Sequence, residues 1–287
     1  MSRFSKYILW MLLILGIIFL AADYIYDYIF LNTSPRDKVQ LAIKQKQGHV
    51  DYLFLGNSRV ENYIDCSIIE KRTGKTCENF GMSGSSYQDS YVLLNLLKEN
   101  GLTYSHLFIQ LDASVKNETM TKSFKASLVP FIDSSIQMKD IELKLSWSEK
   151  NIPFYKYAKY DYLYGMRACF AQLYKNKRDN VNLGFIPQYG VGDNYANQIV
   201  LSGLKNTYVK YLKEDAIQDQ ASIHFYTSPY CAKMKNTFAF NKFKEDYKDY
   251  INYASFYKNE DYFANCTHMN FQGAQIFTRQ LIKDFNL

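Results

Sequence analysis

Two short motifs at opposite ends of the chain carry side chains that can do covalent chemistry. Near the start, an apolar run, Val50-Asp51-Tyr52-Leu53-Phe54-Leu55, stops at Gly56-Asn57-Ser58-Arg59. Near the end, Asn265-Cys266-Thr267-His268 continues into Met269-Asn270-Phe271-Gln272-Gly273-Ala274, the head of a helix-like segment. A serine at the C-terminal tip of a buried strand is where an α/β fold exposes a nucleophile. Serine attacks poorly at neutral pH unless a base takes its proton. His268 is the candidate base: it would accept the Ser58 proton and hand it to a leaving alcohol. Backbone N–H groups at Ser58 and Gly84 would hold the oxyanion, each such donor being worth roughly 3–4 kcal/mol of barrier. The chemistry implied is ester hydrolysis or acyl transfer. In place of an acidic partner for the histidine stands Asn265. Its amide oxygen can orient an imidazole but cannot stabilise imidazolium as a carboxylate does; in a serine protease the Asp-to-Asn change costs about 10⁴ in rate. Asp112 is a second candidate partner, and a backbone carbonyl a third. The structural alternatives are a Ser58 that caps the next helix and a His268 that packs in the core or caps the last one.

The elements that must position these residues read as alternating strands and helices. After the strand at 50–55 comes a short helix around Cys66-Ser67-Ile68-Ile69-Glu70, ended by Gly74, then a second strand at Asn79-Phe80. Apolar residues Tyr91, Leu93, Leu94, Leu96 and Leu97 recur at helical spacing and stop at Gly101. His106-Leu107-Phe108-Ile109-Gln110-Leu111-Asp112 is a third strand, apolar enough to be covered on both faces. Strand, helix, strand, helix, strand predicts a parallel sheet with helices on both sides, a three-layer, flavodoxin-like α/β/α fold. A helix is expected over Gly203–Leu212, a fourth strand at Ile223–Thr227, a charged helix or helix-to-strand segment at Phe240–Tyr253, and a closing helix at Phe271–Phe285. Residues 113–200 show no clean pattern and are read as an insertion or lid. Within it, Pro153–Tyr157 and Tyr160–Tyr164 are helix candidates and Gly184–Tyr195 a loop. His106 and His224 lie in strands and are read as structural.

The N-terminus addresses the chain. Arg3 and Lys6 precede an uncharged run from Tyr7 to Ala22, at the short end for crossing a bilayer, which takes roughly 17–25 residues. Asp23 and Asp27 interrupt the next stretch, while Tyr24, Ile25, Tyr26, Tyr28, Ile29 and Phe30 suit an interfacial belt. A cleaved signal peptide would end near Ala22, but Leu20 is large for the position two residues earlier. The reading is an uncleaved single-pass anchor, residues 1–30, contacting the bilayer through 7–30, with a cytoplasmic N-terminus and an extracytoplasmic domain. Residues 31–49 form a connector and 50–287 one domain.

Composition bounds the rest. A 47% hydrophobic and 22% charged chain of 287 residues is globular rather than disordered. The 26 Tyr and 20 Phe suit sugar-binding platforms, or simply reflect compositional bias. A net charge of +6 comes without any basic run that points to nucleic acid. Five cysteines fit an exported domain with Cys66–Cys77 and Cys231–Cys266 pairs and Cys169 left over, or equally a set of free buried thiols. No Cys/His/Asp spacing suggests a metal, and no dissociable cofactor is needed.

Taken together these motifs resemble the SGNH/GDSL hydrolase superfamily. Gly56-Asn57-Ser58 is similar to its nucleophile block, with Asn for Asp. Asn79-Phe80-Gly81-Met82-Ser83-Gly84 is similar to the second block, with Gly84 as its glycine, and His268 matches the last. The resemblance covers 50–112 and 220–287. It departs at Leu111-Asp112-Ala113-Ser114, which lacks the oxyanion asparagine of the third block, and at Asn265, where the family has Asp. The resemblance implies Ser58 as nucleophile, His268 as base, Asn265 as orienter, and Ser58 and Gly84 as oxyanion donors. Asn57, Arg59 and Asp112 are candidate substrate contacts, Arg59 toward a carboxylate or phosphate. Membrane-anchored relatives that accompany polysaccharide O-acyltransferases share the anchor and the degenerate third block. By that analogy the substrate is an acylated cell-envelope glycan and a partner is a membrane O-acyltransferase. The two missing residues motivate the alternative of a catalytically inactive scaffold that binds glycan or organises an acylation complex; a lipase-like esterase is a third option.

Overall fold

The structure, a computed structural model, describes all residues except 1–2, 45–47, 117, 133–145, 161–164, 175–183, 193–194 and 196. The chain runs α1 (Arg3–Asn32), α2 (Lys38–Lys44), β1 (His49–Leu55), α3 (Ser58–Tyr63), α4 (Cys66–Thr73), β2 (Cys77–Asn79), α5 (Tyr87–Glu99) and β3 (Thr103–Gln110). Then come α6 (Lys122–Leu128), α7 (Trp147–Asn151), α8 (Tyr155–Tyr160), α9 (Gly165–Tyr174), α10 (Thr207–Gln218) and β4 (Ser222–Thr227). The chain closes with β5 (Ile251–Asn252), β6 (Phe263–Asn265), β7 (His268–Met269) and α11 (Phe271–Asp284). The described residues fall into two compact units, Met1–Gln40 with Lys122–Lys177, and Leu41–Thr121 with Arg178–Leu287.

The second unit holds a five-stranded sheet in the order β2-β1-β3-β4-β5, every pairing parallel. This is the α/β fold expected from the sequence. The second halves of β1 and β3 are apolar because both faces are covered there: Leu53, Phe54, Leu55, Leu107, Phe108 and Ile109 are all buried. The chain steps from β1 to β2 on one side and to β3 on the other. The crevice at the carboxyl ends of β1 and β3 is therefore the switch point where such sheets bind ligands. Gly56 makes the turn out of β1 possible. A Cβ there would lie 2.5 Å from Val60 Cγ2 and 3.1 Å from Gln110 Cβ.

Several expected elements shift. The helix expected from Gly203 begins at Thr207, because the Asn206 side chain caps it through the Tyr208 and Val209 amides. The segment read as a charged helix or a helix-to-strand segment at Phe240–Tyr253 takes the second form, a helix followed by the two-residue β5, but the helix is 3-10 and begins earlier, at Thr237–Glu245. An added helix, α3, occupies the stretch directly after the turn at Gly56. Gly184–Gln188 and Tyr189–Gly192 carry no strand or α-helix, as expected for a loop; 193–194 lie outside the described residues. Of the helix candidate at Tyr160–Tyr164, residues 161–164 also lie outside them. Of the two alternatives for the cysteines the paired one is present, with disulfides Cys66–Cys77 and Cys231–Cys266 and with Cys169 buried and in neither bond.

In the first unit, α1 is a single 30-residue helix, long and apolar enough to cross a membrane. Its last turns pack with Val129, Tyr157 and Cys169 around Tyr26 and Ile29. Gln172 donates to Thr33 Oγ1 and the Ser34 carbonyl, tying α9 to the end of α1.

Candidate active site

The strand-to-helix turn after β1 sets the serine. Asn57 is the cap of α3, its side-chain oxygen accepting the Arg59 amide at 3.0 Å. Ser58 is thus the first helical residue rather than the cap, and its hydroxyl is left for other use. Its amide opens the helix, where the first N–H groups have no acceptor within it.

The histidine arrives from the other end of the chain. His268 lies in β7, not at the head of the last helix, and pairs with Asn265 of β6 across a two-residue turn. Asn270 caps α11 instead, accepting from the Gly273 amide. Two ties hold this hairpin, and a third seats the helix that follows it. Tyr63 donates its hydroxyl to the Thr267 carbonyl at 2.7 Å. Thr278 of α11 accepts from the Asp65 amide and donates to the Tyr63 carbonyl, joining α11 to the end of α3. Cys266, within the turn, is bonded to Cys231.

The result is a Ser58 Oγ to His268 Nε2 distance of 2.8 Å. The tautomer is set by one unambiguous donor. The Thr267 backbone N–H points at Asn265 Oδ1 (3.0 Å), so the atom there must be the amide oxygen. The Thr267 hydroxyl donates to the same oxygen at 2.8 Å. His268 Nδ1, at 3.2 Å from Asn265 Oδ1, must therefore carry its hydrogen. Nε2 is then the lone-pair nitrogen and accepts from Ser58, the arrangement general-base catalysis needs. Burial pushes the His268 imidazole below its ordinary value of 6.5, the Arg59 guanidinium adds to the effect, and Asp112 opposes it. The neutral imidazole is the form present at neutral pH.

Beside this pair lies a buried charge network. Arg59, only 3% exposed, donates through Nη2 to Asp112 Oδ2, and its guanidinium sits 4.2 Å from the Tyr230 ring centroid. Asn57 Nδ2 donates to the same carboxylate oxygen at 2.6 Å, and the Ala113 amide donates to Oδ1 at 2.5 Å. Burial alone would raise the Asp112 carboxyl; the Arg59 charge and these hydrogen bonds outweigh it and hold the group below the usual carboxylate range. Arg59 is thus engaged by Asp112 rather than presented at the surface. The Asp112 amide donates to the Tyr87 hydroxyl at 2.8 Å.

A cavity of about 200 Å³ opens at the serine, lined by Gly56, Asn57, Ser58, Gly84, Ser85, Ser86, Tyr87, Ser90, Gln110, Asp112 and Ser114. Gly84 has φ +74° with open space where a side chain would be, so glycine is required by backbone conformation and leaves its wall bare. Ser58, Gly84, Asn57 and Asp112 thus share one chamber, with His268 and Asn265 reaching it through the Ser58 hydroxyl. Thr267, Tyr87, Tyr230 and Gln110 were not anticipated. Thr267 had a local signal, a hydroxyl between the asparagine and the histidine; the others reach the site only through sheet topology. His106 and His224 are apart from it, hydrogen-bonded to each other at 3.1 Å between neighbouring strands. Among the described residues no cluster of His, Cys, Asp or Glu suits a metal ion.

No family model matches the chain, and no curated protein matches it. Among solved structures, a Streptococcus pneumonia protein, described provisionally as a platelet activating factor, is similar at a TM-score of 0.40 and 12% identity. That alignment covers 96% of this chain and 98% of the other.

Proposed function

We propose that the chain is a membrane-anchored serine esterase or O-acyltransferase of the SGNH type, acting on an acylated cell-envelope glycan. The observation that carries this is the Ser58–His268 contact at 2.8 Å with the imidazole tautomer set by Asn265. In the first half-reaction Ser58 Oγ bonds to the acyl carbon while its proton passes to His268 Nε2. The carbonyl electrons move to oxygen, where the Ser58 and Gly84 amides are the candidate donors. Collapse breaks the bond to the sugar oxygen, which leaves with the proton from His268. Water or a second hydroxyl then repeats the sequence in reverse on the acyl-serine. The polar 200 Å³ cavity suits a small acyl group better than a long alkyl chain. In this reading α1 anchors the protein with its N-terminus in the cytoplasm, the α/β unit faces outward, and a membrane O-acyltransferase is the partner. Failure to co-purify with any such enzyme in mild detergent argues against that partner.

The test is fluorophosphonate labelling of the folded protein made in an oxidising compartment. Labelling that disappears in Ser58→Ala supports the reading. The amide of Asn265, rather than a carboxylate, on His268 Nδ1 favours a second reading, a glycan-binding scaffold without chemistry. A folded wild-type protein that does not label, and a Ser58→Ala strain that keeps its envelope acylation, would establish it.

A further inference from the structure

The uncharged run of α1 ends at Ala22, and the segment fastened there bears on the membrane. From Tyr7 to Ala22 a helix covers only about 24 Å, short of the roughly 30 Å hydrocarbon core. The turns carrying Asp23 and Asp27 must therefore sit at the boundary. Both acids are met by one segment. Asp23 Oδ1 accepts the Phe154 amide at 3.2 Å. Asp27 is paired with Lys156 at 3.2 Å and accepts the Tyr157 hydroxyl. Pairing of this kind is what makes carboxylates tolerable at that depth. Phe154 reaches further, stacking on Phe19 with ring centroids 6.5 Å apart and meeting Tyr26 edge-on at 5.0 Å. Phe19 lies within the uncharged run, one helical turn before Asp23. The start of α8 is thus locked to α1 at the height where its apolar surface ends.

The side chains flanking this lock point outward. Ile152 is 43% exposed, Tyr155 39% and Trp147, on α7, 73%. The acid of the segment does not share that exposure: Glu149 is buried, held by Ser146 and Lys159. Lys150 and Lys159 remain exposed. Aromatic and aliphatic groups with lysines, and no exposed acid, match the headgroup layer, where Trp and Tyr concentrate and lysines reach phosphates.

We propose that Trp147–Tyr160 is an interfacial foot that seats Trp147, Ile152 and Tyr155 in the headgroup–acyl boundary of the bilayer that α1 crosses. The proposal rests on reading α1 as a membrane span. The occupant is lipid, because the foot is continuous with the spanning helix and fastened to it at the boundary.

The chain's two tryptophans allow a direct test. Full-length Trp10→Phe and Trp147→Phe variants are placed in nanodiscs containing lipids brominated near the top of the acyl chain. Trp10 alone reports insertion of α1, and Trp147 alone reports the foot. The expected result is quenching of both, roughly twofold or more for Trp147, with a blue-shifted emission and protection from iodide. Quenched Trp10 with unquenched, iodide-accessible Trp147 overturns the foot and leaves the anchor standing; it assigns the patch to water or to a protein partner. Unquenched Trp10 overturns both.

Discussion

On the proposed function, Asn265 is the residue that sets how reactive Ser58 is. Its oxygen is held toward His268 by the Thr267 amide, so the imidazole already has the proton on Nδ1. What the amide lacks is charge. Burial and Arg59 both disfavour imidazolium, and Asp112 offsets them only in part. Asn265→Asp should keep both hydrogen bonds from Thr267 and add that charge. We expect labelling and turnover to rise by roughly 10- to 100-fold, less than the ~10⁴ of the reverse change in a serine protease, where the tautomer is also lost. The pH profile must move with it. The base works when neutral, so wild-type activity should hold below pH 6.5 and fall only as pH drops through the lowered His268 value. In Asn265→Asp the carboxylate raises that value, and the acid limb should shift to higher pH. A labelling-rate profile across pH checks this; an unmoved limb would mean that Asn265 does not couple to the base.

The end of β3 and the start of α3 are joined by the Asp112–Arg59–Asn57 network, which connects residues 53 and 55 positions apart. Removing one member of a buried pair leaves a charge without compensation, at about 3–5 kcal/mol. Asp112→Ala should lower unfolding free energy in urea by that order, and Arg59→Leu in the Asp112→Ala background should recover much of it. The native Asp112 value lies below its ordinary 3.8, so its contribution is present above that pH and lost as pH falls through the depressed value. The gap between wild type and Asp112→Ala should therefore close only below about pH 4. Equal stability of the two proteins at pH 7 would sink the argument. This network was half legible. Asn57, Arg59 and Asp112 are marked by the sequence as candidate substrate contacts, but no periodicity tells that two of them neutralise each other. The strands were legible because burial on both faces writes continuous apolar runs, as in Leu53–Leu55 and Leu107–Ile109. The stretch at 237–245 is legible as a helix leading to a strand but not as a 3-10 helix, since Phe240 and Phe243 at a spacing of three serve a 3-10 turn as well as an α-helix. The outward face of α9, with Phe170, Leu173 and Tyr174 exposed and Cys169 and Gln172 buried, inverts the usual amphipathic pattern and hid that helix.

At the scale of the molecule, both disulfides belong to the unit that carries the serine, and they serve it differently. Cys66–Cys77 ties the start of α4 to β2 across 11 residues of sequence, and Cys231–Cys266 spans 35. Constraint of the unfolded chain predicts about 3 kcal/mol for the first loop and about 4 for the second. Either loss should lower the melting temperature by on the order of 10 °C. Their effects on chemistry should diverge. Cys266 stands in the turn between Asn265 and His268, and its carbonyl accepts the Cys231 amide at 3.1 Å. Cutting that bond frees the hairpin that sets both the tautomer and the Ser58 distance. Misplacement of a base by about 1 Å costs roughly 10²-fold. Cys231→Ser with Cys266→Ser should therefore slow labelling of Ser58 at least tenfold at a temperature where the protein is folded. Cys66→Ser with Cys77→Ser should leave the labelling rate within about twofold, since neither cysteine lies in the turn that carries Ser58 or in the hairpin that carries His268. Melting by circular dichroism alongside labelling kinetics separates the two effects. Equal rates in both variants would show that the hairpin is held by Tyr63 and the packing of α11 on α3, and that the Cys231–Cys266 bond contributes stability alone.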